Sequence, residues 1–296
     1  MEDENGVTGF GEVAPIPWFG TETLEIAEAF LAHSVETSLA DDPPADLPCC
    51  RFAISCARSL LRQDSFPSDE EVEVAALLPA GAMGLDRLLE LSAMDFRVFK
   101  WKVGVESFDK EREILDLMLD ALPTNGLLRL DANGSWSPVE AWSWLESLEG
   151  EQRVEFVEDP LEPALWEASF GLAESFETSL SLDLPVTPEL VSILALKAWP
   201  GILTIKPSLS GSLDDILGMV RQFPQKTILS SSLETAFGYE SVLRLASGDG
   251  VVAKPCGLGG QDLFEEDGLK LHPVSPLLRA GVVGFDALEQ AWEELR

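Results

Sequence analysis

From Glu71 onward the chain alternates between two spacings of apolar residues. Short β-like runs come in the order "VEVAALLP", "RVFKWKVG", "GLLRLDANG", "VEFVEDP", "LSLDLP", "GILTIKPS", "KTILSSS" and "GVVAKPCG". Between them lie segments such as "LDRLLELSAM", "DKEREILDLMLDAL", "SPVEAWSWLESL", "TPELVSILALKAW" and "SLDDILGMVRQF", whose apolar residues fall at helical spacing. Start signals such as Ser137 before Pro138 mark the helix entries. Strands alternating with helices imply a parallel sheet, and eight of them predict an α/β fold, a TIM-type (β/α)7β barrel over residues 71–262. An open doubly wound sheet is the competing architecture.

Upstream, Thr21 to Val35 and Pro48 to Arg62 carry the spacing of two amphipathic helices, joined by the Pro- and Asp-rich "ETSLADDPPADL". They stand outside the barrel repeat, so residues 1–70 are expected to form a smaller α+β capping domain. Residues 263–296 end in a further helix, "FDALEQAWEELR", expected to return to that cap.

Composition narrows the function. The 296 residues carry 52 acids against 20 Lys and Arg, a formal charge of −32. Nucleic acids and anionic lipids are recognised by basic patches, so this balance argues against both as partners. The acidic start "MEDENGVTGF" lacks the basic and apolar regions of a leader, and no stretch reaches eighteen apolar residues, which predicts a cytoplasmic protein without membrane insertion. The four cysteines, with Cys49 and Cys50 adjacent, form no C-x-x-C pair and read as small core residues. His33 and His272 lack paired-ligand spacing and read as structural.

The candidate chemistry begins in "FRVFKWKVGV". Alternation puts Lys100 and Lys102 on one face of a strand, and Phe99, Trp101 and Val103 on the other. Lys102, Asp131, Glu158, Asp183 and Lys206 then stand near the C-terminal ends of successive predicted strands, one per unit. In a parallel barrel these ends share one rim, where the active sites of the fold lie. A single strand-end acid is more commonly a cap or an ion-pair partner, "KxK" a solvated face and "EDP" a turn; five positions in register on five consecutive units outweigh those readings. Three converging carboxylates would repel one another unless a cation joins them, and oxygen-only donors suit Mg²⁺. Lys102 is a candidate base, with Lys100 placed to lower its pKa by like charge. Ser231 and Ser232 in "ILSSSLETAF" stand where a strand passes to a helix, a place that favours a substrate carboxylate; Ser231 and Glu234 equally fit a capping box. "CGLGG" (Cys256 to Gly260) reads as a strand-end turn rather than a phosphate loop.

The segments "GFGEVAPIPWFGTET", "FKWKVG", "LRLDANGSW", "EFVEDPL", "LSLDLP", "LTIKPSLSGSL" and "SSSLETAFG" together resemble the enolase superfamily, and within it the o-succinylbenzoate synthases of the muconate lactonizing subgroup. The resemblance spans nearly the whole sequence. It implies Mg²⁺ held by Asp131, Glu158 and Asp183 with Asn133 supporting them, and Mn²⁺ as a possible substitute. It also implies Lys102 as base, Lys206 as the opposing lysine, and a "PWFGTE" loop closing over a small-molecule carboxylate substrate. The implied reaction is the syn dehydration of 2-succinyl-6-hydroxy-2,4-cyclohexadiene-1-carboxylate to o-succinylbenzoate, a step toward menaquinone or phylloquinone. The strands that usually precede "GFGEVAPIPW" are missing, so the cap is expected to be truncated. Paired lysines also serve N-succinylamino acid racemases and dipeptide epimerases, and a non-catalytic binding relative is a further alternative. The sequence leaves the oligomeric state open.

Overall fold

The computed structural model describes residues 1–36, 42–62, 70–183, 186–248, 250–261 and 269–295. Parts of the "ETSLADDPPADL" connector and the expected 262/263 boundary lie outside the described residues. Eight strands carry the barrel: β1 (Glu71–Leu78), β2 (Val98–Lys102), β3 (Leu127–Asp131), β4 (Val154–Glu158), β5 (Leu180–Leu182), β6 (Ile202–Ile205), β7 (Thr227–Leu229) and β8 (Cys256–Gly259). They run parallel in the order β7-β6-β5-β4-β3-β2-β1-β8. A parallel bridge between Ser230 and Gly257 brings β7 to β8, so the sheet nearly closes on itself. This is the expected (β/α)7β barrel and excludes the open sheet.

Helices α3 (Met83–Ala93), α4 (Phe108–Ala121), α5 (Pro138–Ser147), α6 (Ala168–Ser175), α7 (Pro188–Leu196), α8 (Pro207–Ser210), α9 (Leu213–Gln222) and α10 (Ala236–Ala246) connect the strands. Their starts follow local chemistry. Ser137 and Glu140 form a reciprocal capping box on α5, as do Ser212 and Asp215 on α9. Phe99 and Trp101 of β2 are fully buried in the apolar layer shared with the helices. Lys100 and Lys102 take the opposite face, inside the barrel, as alternation requires.

The eighth strand corrects the sequence reading. "GVVAK" has the β-branched look of a strand, yet the strand is "CGLG", the stretch read as a turn. The glycines are needed there: a Cβ on Gly259 would lie 2.3 Å from the Ala75 carbonyl oxygen, and one on Gly257 would lie 2.5 Å from Ser230 Oγ. Close approach to β1 and β7 selects Gly over residues of higher strand propensity.

Deep in the barrel, toward the strands' N-terminal ends, Arg129 donates to Glu155 at 2.7 Å and to the Pro255 carbonyl at 2.9 Å. Lys254 reaches the other Glu155 oxygen at 2.7 Å, and the Arg129 guanidinium lies 4.9 Å from the centre of the Phe156 ring.

The N-terminal unit consists, among the described residues, of an isolated Glu2–Thr8 bridge, a 3-10 turn at Pro17–Phe19, and helices α1 (Leu24–Glu36) and α2 (Pro48–Leu61). "GFGE" lies flat on α2: a Cβ at Gly9 would be 2.2 Å from the Ala57 oxygen, and at Gly11 1.9 Å from that of Ala53. Arg51 of α2 pairs with Asp215 of α9 at 2.6 Å, tying this unit to the barrel. Near the other end, β9 (Leu277–Arg279) runs antiparallel to the first residues of β1, and α11 (Phe285–Glu294) follows. Phe10 packs against Phe237 of α10 and against Phe285 and Trp292 of α11. Cys49, Cys50, Cys56 and Cys256 are buried free thiols, and burial pushes the Cys56 thiol up to about 12. They are inert core residues.

Candidate active site

The ends of β2 to β6 deliver the predicted residues to one place. Register pairs Lys102 with Asp131 and Asp131 with Glu158 across adjacent strands. Lys206 follows β6, and Asp183 follows the three-residue β5. The loop after Lys102 is fixed by buried Glu111, whose carboxylate accepts the backbone N–H groups of Gly104, Val105 and Glu106. Residues from β1, β2, β3, β8, the loops after β5 and β6 and the N-terminal turn line a cavity of about 590 Å³ here, with Lys100, Lys102, Asp131, Asn133, Asp183 and Lys206 on its wall.

Within the cavity the two lysines of β2 are not equivalent. Lys100, its side chain only 15% exposed, donates to Glu158 and lies 3.2 Å from Asp131. Burial works to lower its pKa, but Glu158, Asp131 and Asp183 outweigh burial and hold its ammonium well above the ordinary value. Lys102, 45% exposed, is 3.9 Å from Asp131 and donates to Asn133 Oδ1 at 3.4 Å. The sequence cast Lys100 as a bare like charge facing Lys102; here it is a counter-cation for the carboxylates, much of its field neutralised at short range. Lys206 donates to Asp183 and sits 4.6 Å from the centre of the Phe19 ring.

Negative charge is nevertheless in excess. Burial, and then the neighbouring Asp183, raise the Glu158 pKa against the pull of Lys100. Burial and the charges of Asp183 and Glu158 raise that of Asp159 well above the usual range. Asp183 Oδ1 is buried with no hydrogen-bond partner among the described residues. Lysine ammonium groups stand between the carboxylates, and no three acid, imidazole or thiol groups among the described residues close on one point as a finished metal cage. An orphaned carboxylate oxygen, raised acid pKa values and an all-oxygen donor set are what a hard divalent cation would relieve, so these residues fit Mg²⁺. Asn133 donates its backbone N–H to Asp131 Oδ1 at 3.0 Å, and its own side-chain oxygen faces Lys102.

The serines have a different partner from the one expected. Ser231 Oγ, Ser232 Oγ, the Ser232 N–H and Ser208 Oγ all donate to buried Glu234. Ser231 caps no helix either: α10 starts at Ala236 with Thr235 at its N-cap, and its N–H groups at Thr235 and Gly238 go to Glu12 of the N-terminal unit. Both hydroxyls thus face an anion of their own chain, and Ser231 also lines the cavity. The sequence paired Ser231 with Glu234, but as a helix cap; Glu234 instead turns back onto its own loop. Sequence reasoning also passed over Thr204, which donates to Glu158 at 3.4 Å, Phe19 under Lys206, Asp159, and Arg87 on the cavity wall. Arg87 lies on the first turns of α3, where helical spacing alone marks it as a solvated residue.

Comparison with known proteins then decides the family. Residues 2–61 match the family described as MenC, N-terminal domain, and residues 85–184 match Enolase C-terminal domain-like. An o-succinylbenzoate synthase of Thermosynechococcus vestitus is 33% identical, over all of this chain and 89% of the relative. The chain belongs to the o-succinylbenzoate synthase family. Another member, from Proteus mirabilis, is 29% identical over 99% of this chain and 90% of its own. The crystal structure of the family member from Thermosynechococcus elongatus BP-1, complexed with Mg in its active site, superposes with a TM-score of 0.82 at 31% identity, covering 99% of this chain and 90% of that one. An N-succinyl Arg/Lys racemase from Bacillus cereus reaches the same TM-score of 0.82 at 16% identity, covering 98% of this chain and 88% of its own. That second likeness speaks for the fold alone.

Proposed function

We propose that this chain is an o-succinylbenzoate synthase that dehydrates 2-succinyl-6-hydroxy-2,4-cyclohexadiene-1-carboxylate in the cytoplasm. The observation that carries the reading is the disposition of Lys102: a reachable amine beside a buried group of carboxylates, across from Lys206. Asp131, Glu158 and Asp183 would hold Mg²⁺, or Mn²⁺ in its place. When bound, the cation supplies the positive charge that makes the proton next to the ring carboxylate acidic.

The chain's own groups do the rest. Neutral Lys102 Nζ takes the proton from the carbon bearing the carboxylate. As an ammonium it then returns a proton to the departing hydroxyl on the same face, so water leaves and the new double bond completes an aromatic ring. Lys206 stays protonated on the other side, its charge anchored by Asp183 and the Phe19 ring, and faces the anion that develops in the ring. The apolar wall of Leu77 and Leu78 keeps one flank of the substrate from water. Arg87, which pairs with Glu90 at 2.8 Å on its own helix, also reaches the cavity wall, and its planar fork suits the distal carboxylate of the succinyl tail.

Racemisation of N-succinylamino acids would need both lysines to exchange protons. Synthase relatives at 29 to 33% identity, against 16% for the racemase, favour dehydration. The test is an assay of the purified chain with the cyclohexadiene substrate and Mg²⁺, beside N-succinylamino acids in deuterated water. Aromatic product that disappears on chelation and returns with Mg²⁺ is expected. Deuterium exchange into amino acids with no dehydration would overturn the reading.

A further inference from the structure

Two of the three carboxylates proposed to hold the metal close their strands, and the parallel ladder fixes their backbones. The Asp131 carbonyl accepts from Val103 at 2.9 Å, and that of Glu158 accepts from Ala132 at 3.1 Å. Asp183 is different. Strand β5 ends at Leu182, so Asp183 lies one residue past the ladder that would otherwise set its direction. Its backbone N–H donates instead to a side chain, Asp159 Oδ1, at 2.8 Å.

Asp159 is itself held from both sides. Its N–H donates to the Ser181 carbonyl at 2.9 Å, and its own carbonyl accepts from Gly134, in the loop that follows Asp131, at 2.7 Å. The residue sits at φ +40°, a left-handed conformation that Asp and Asn tolerate far better than most side chains. One residue therefore joins the loops that carry Asp131, Glu158 and Asp183. A buried carboxylate beside other acids raises the electrostatic cost of the site, so its retention calls for a return.

We infer that Asp159 is a positioning residue that sets the affinity of the site for its divalent cation by accepting the Asp183 N–H and aiming the Asp183 carboxylate. This rests on the proposed metal site, and the experiment separates the two. Mg²⁺ binding is measured by calorimetry on the apo protein, together with the unfolding temperature in chelator and the Mg²⁺ dependence of turnover. Asp159→Gly removes the acceptor while relaxing the left-handed backbone, so strain cannot account for its effect. Asp159→Glu keeps the charge and displaces the oxygens by a methylene. Both are expected to weaken Mg²⁺ binding at least about tenfold, about 1.4 kcal/mol. Asp159→Asn keeps the acceptor and is expected to stay within about threefold of wild type. Apo unfolding temperatures should stay close to wild type in the folded variants, and turnover of Asp159→Gly should largely recover at high Mg²⁺.

If Asp159→Gly does not fold, the Glu and Asn variants carry the same contrast. Wild-type affinity in Asp159→Glu or Asp159→Gly, or a loss in Asp159→Asn as large as in Asp159→Glu, overturns the inference. A wild-type chain that binds no Mg²⁺ overturns the metal site itself.

Discussion

The barrel holds two buried groups of charge made from the same residue types, one near its floor and one at its mouth. At the floor, Arg129 and Lys254 share Glu155, a backbone carbonyl takes a further guanidinium bond, and Phe156 covers the plane. Burial works to raise the Glu155 pKa, but the two cations outweigh it and hold the carboxyl below its ordinary value. At the mouth, the neighbouring carboxylates Asp131, Glu158, Asp159 and Asp183 face Lys100, Lys102 and Lys206. There Glu158 and Asp159 are pushed up rather than down, and an oxygen of Asp183 has no partner among the described residues. Balanced charge makes structure; a surplus of one sign, kept buried, makes a binding site for the other.

The largest effect separating the two regions is catalytic. Lys102→Ala should lower kcat by at least about 10³-fold while Mg²⁺ affinity, measured by titration, stays near wild type. A variant that keeps much of its turnover would remove Lys102 from the proton path. Glu155→Gln at the floor should instead cost stability, about 3 kcal/mol in denaturant unfolding at pH 7, because buried Arg129 and half-buried Lys254 lose their shared counter-charge. Its pH dependence has a definite sign. A carboxyl with a depressed folded pKa contributes stability that is fully present above about 4.5 and is lost as pH falls through the folded value. The wild-type and Glu155→Gln unfolding curves should therefore converge in acid; parallel curves would show that Glu155 is not the titrating group.

Smaller effects belong to the mouth and its rim. Arg87→Met should raise KM roughly tenfold with kcat changed little, and the wild-type preference for the succinyl acid over its amide should vanish. An unchanged KM would place the tail elsewhere. The smallest effect is one on stability: Glu158→Gln, besides abolishing activity, should leave the unfolding temperature of the metal-free protein no lower, since its raised pKa marks the ionised form as a cost to the fold. A marked fall in that temperature would make the mouth another structural ion network and erase the contrast.

The barrel was readable because each unit repeats one signal, a period-2 run followed by a helical one. The convergence at the mouth was readable for the same reason, one charged residue at or just past the end of each strand from β2 to β6. What escaped the reading depends on contacts that no spacing encodes. β8 was hidden because close packing on β1 and β7 demands glycine where propensity would place valine. Asp159 looked like half of an "EDP" turn, and its link to Asp183 bridges two strands through a side chain. The Ser231–Glu234 pair was legible as a three-residue spacing, whereas the inclusion of Ser232 and Ser208 around the same carboxylate is a matter of tertiary direction. Lys100 was placed on the right face, but the strand pattern does not reveal which acid it would meet.

The glycines of β8 have one more consequence. Apart from Arg87 on α3, charge in the cavity comes from the ends of β2 to β6, while the opposite wall is made by β1, β8 and the residue after it, where Gly257, Gly259 and Gly260 contribute only backbone. Shape and reactivity are thus written on separate stretches of the gene. A methyl group at residue 260 would meet Leu233 at 3.1 Å and Leu77 at 3.9 Å, trimming the chamber with no change to any lysine or carboxylate. A lineage can therefore move toward shorter side arms on its substrates by single steps along this glycine wall, with the lysines and carboxylates inherited intact.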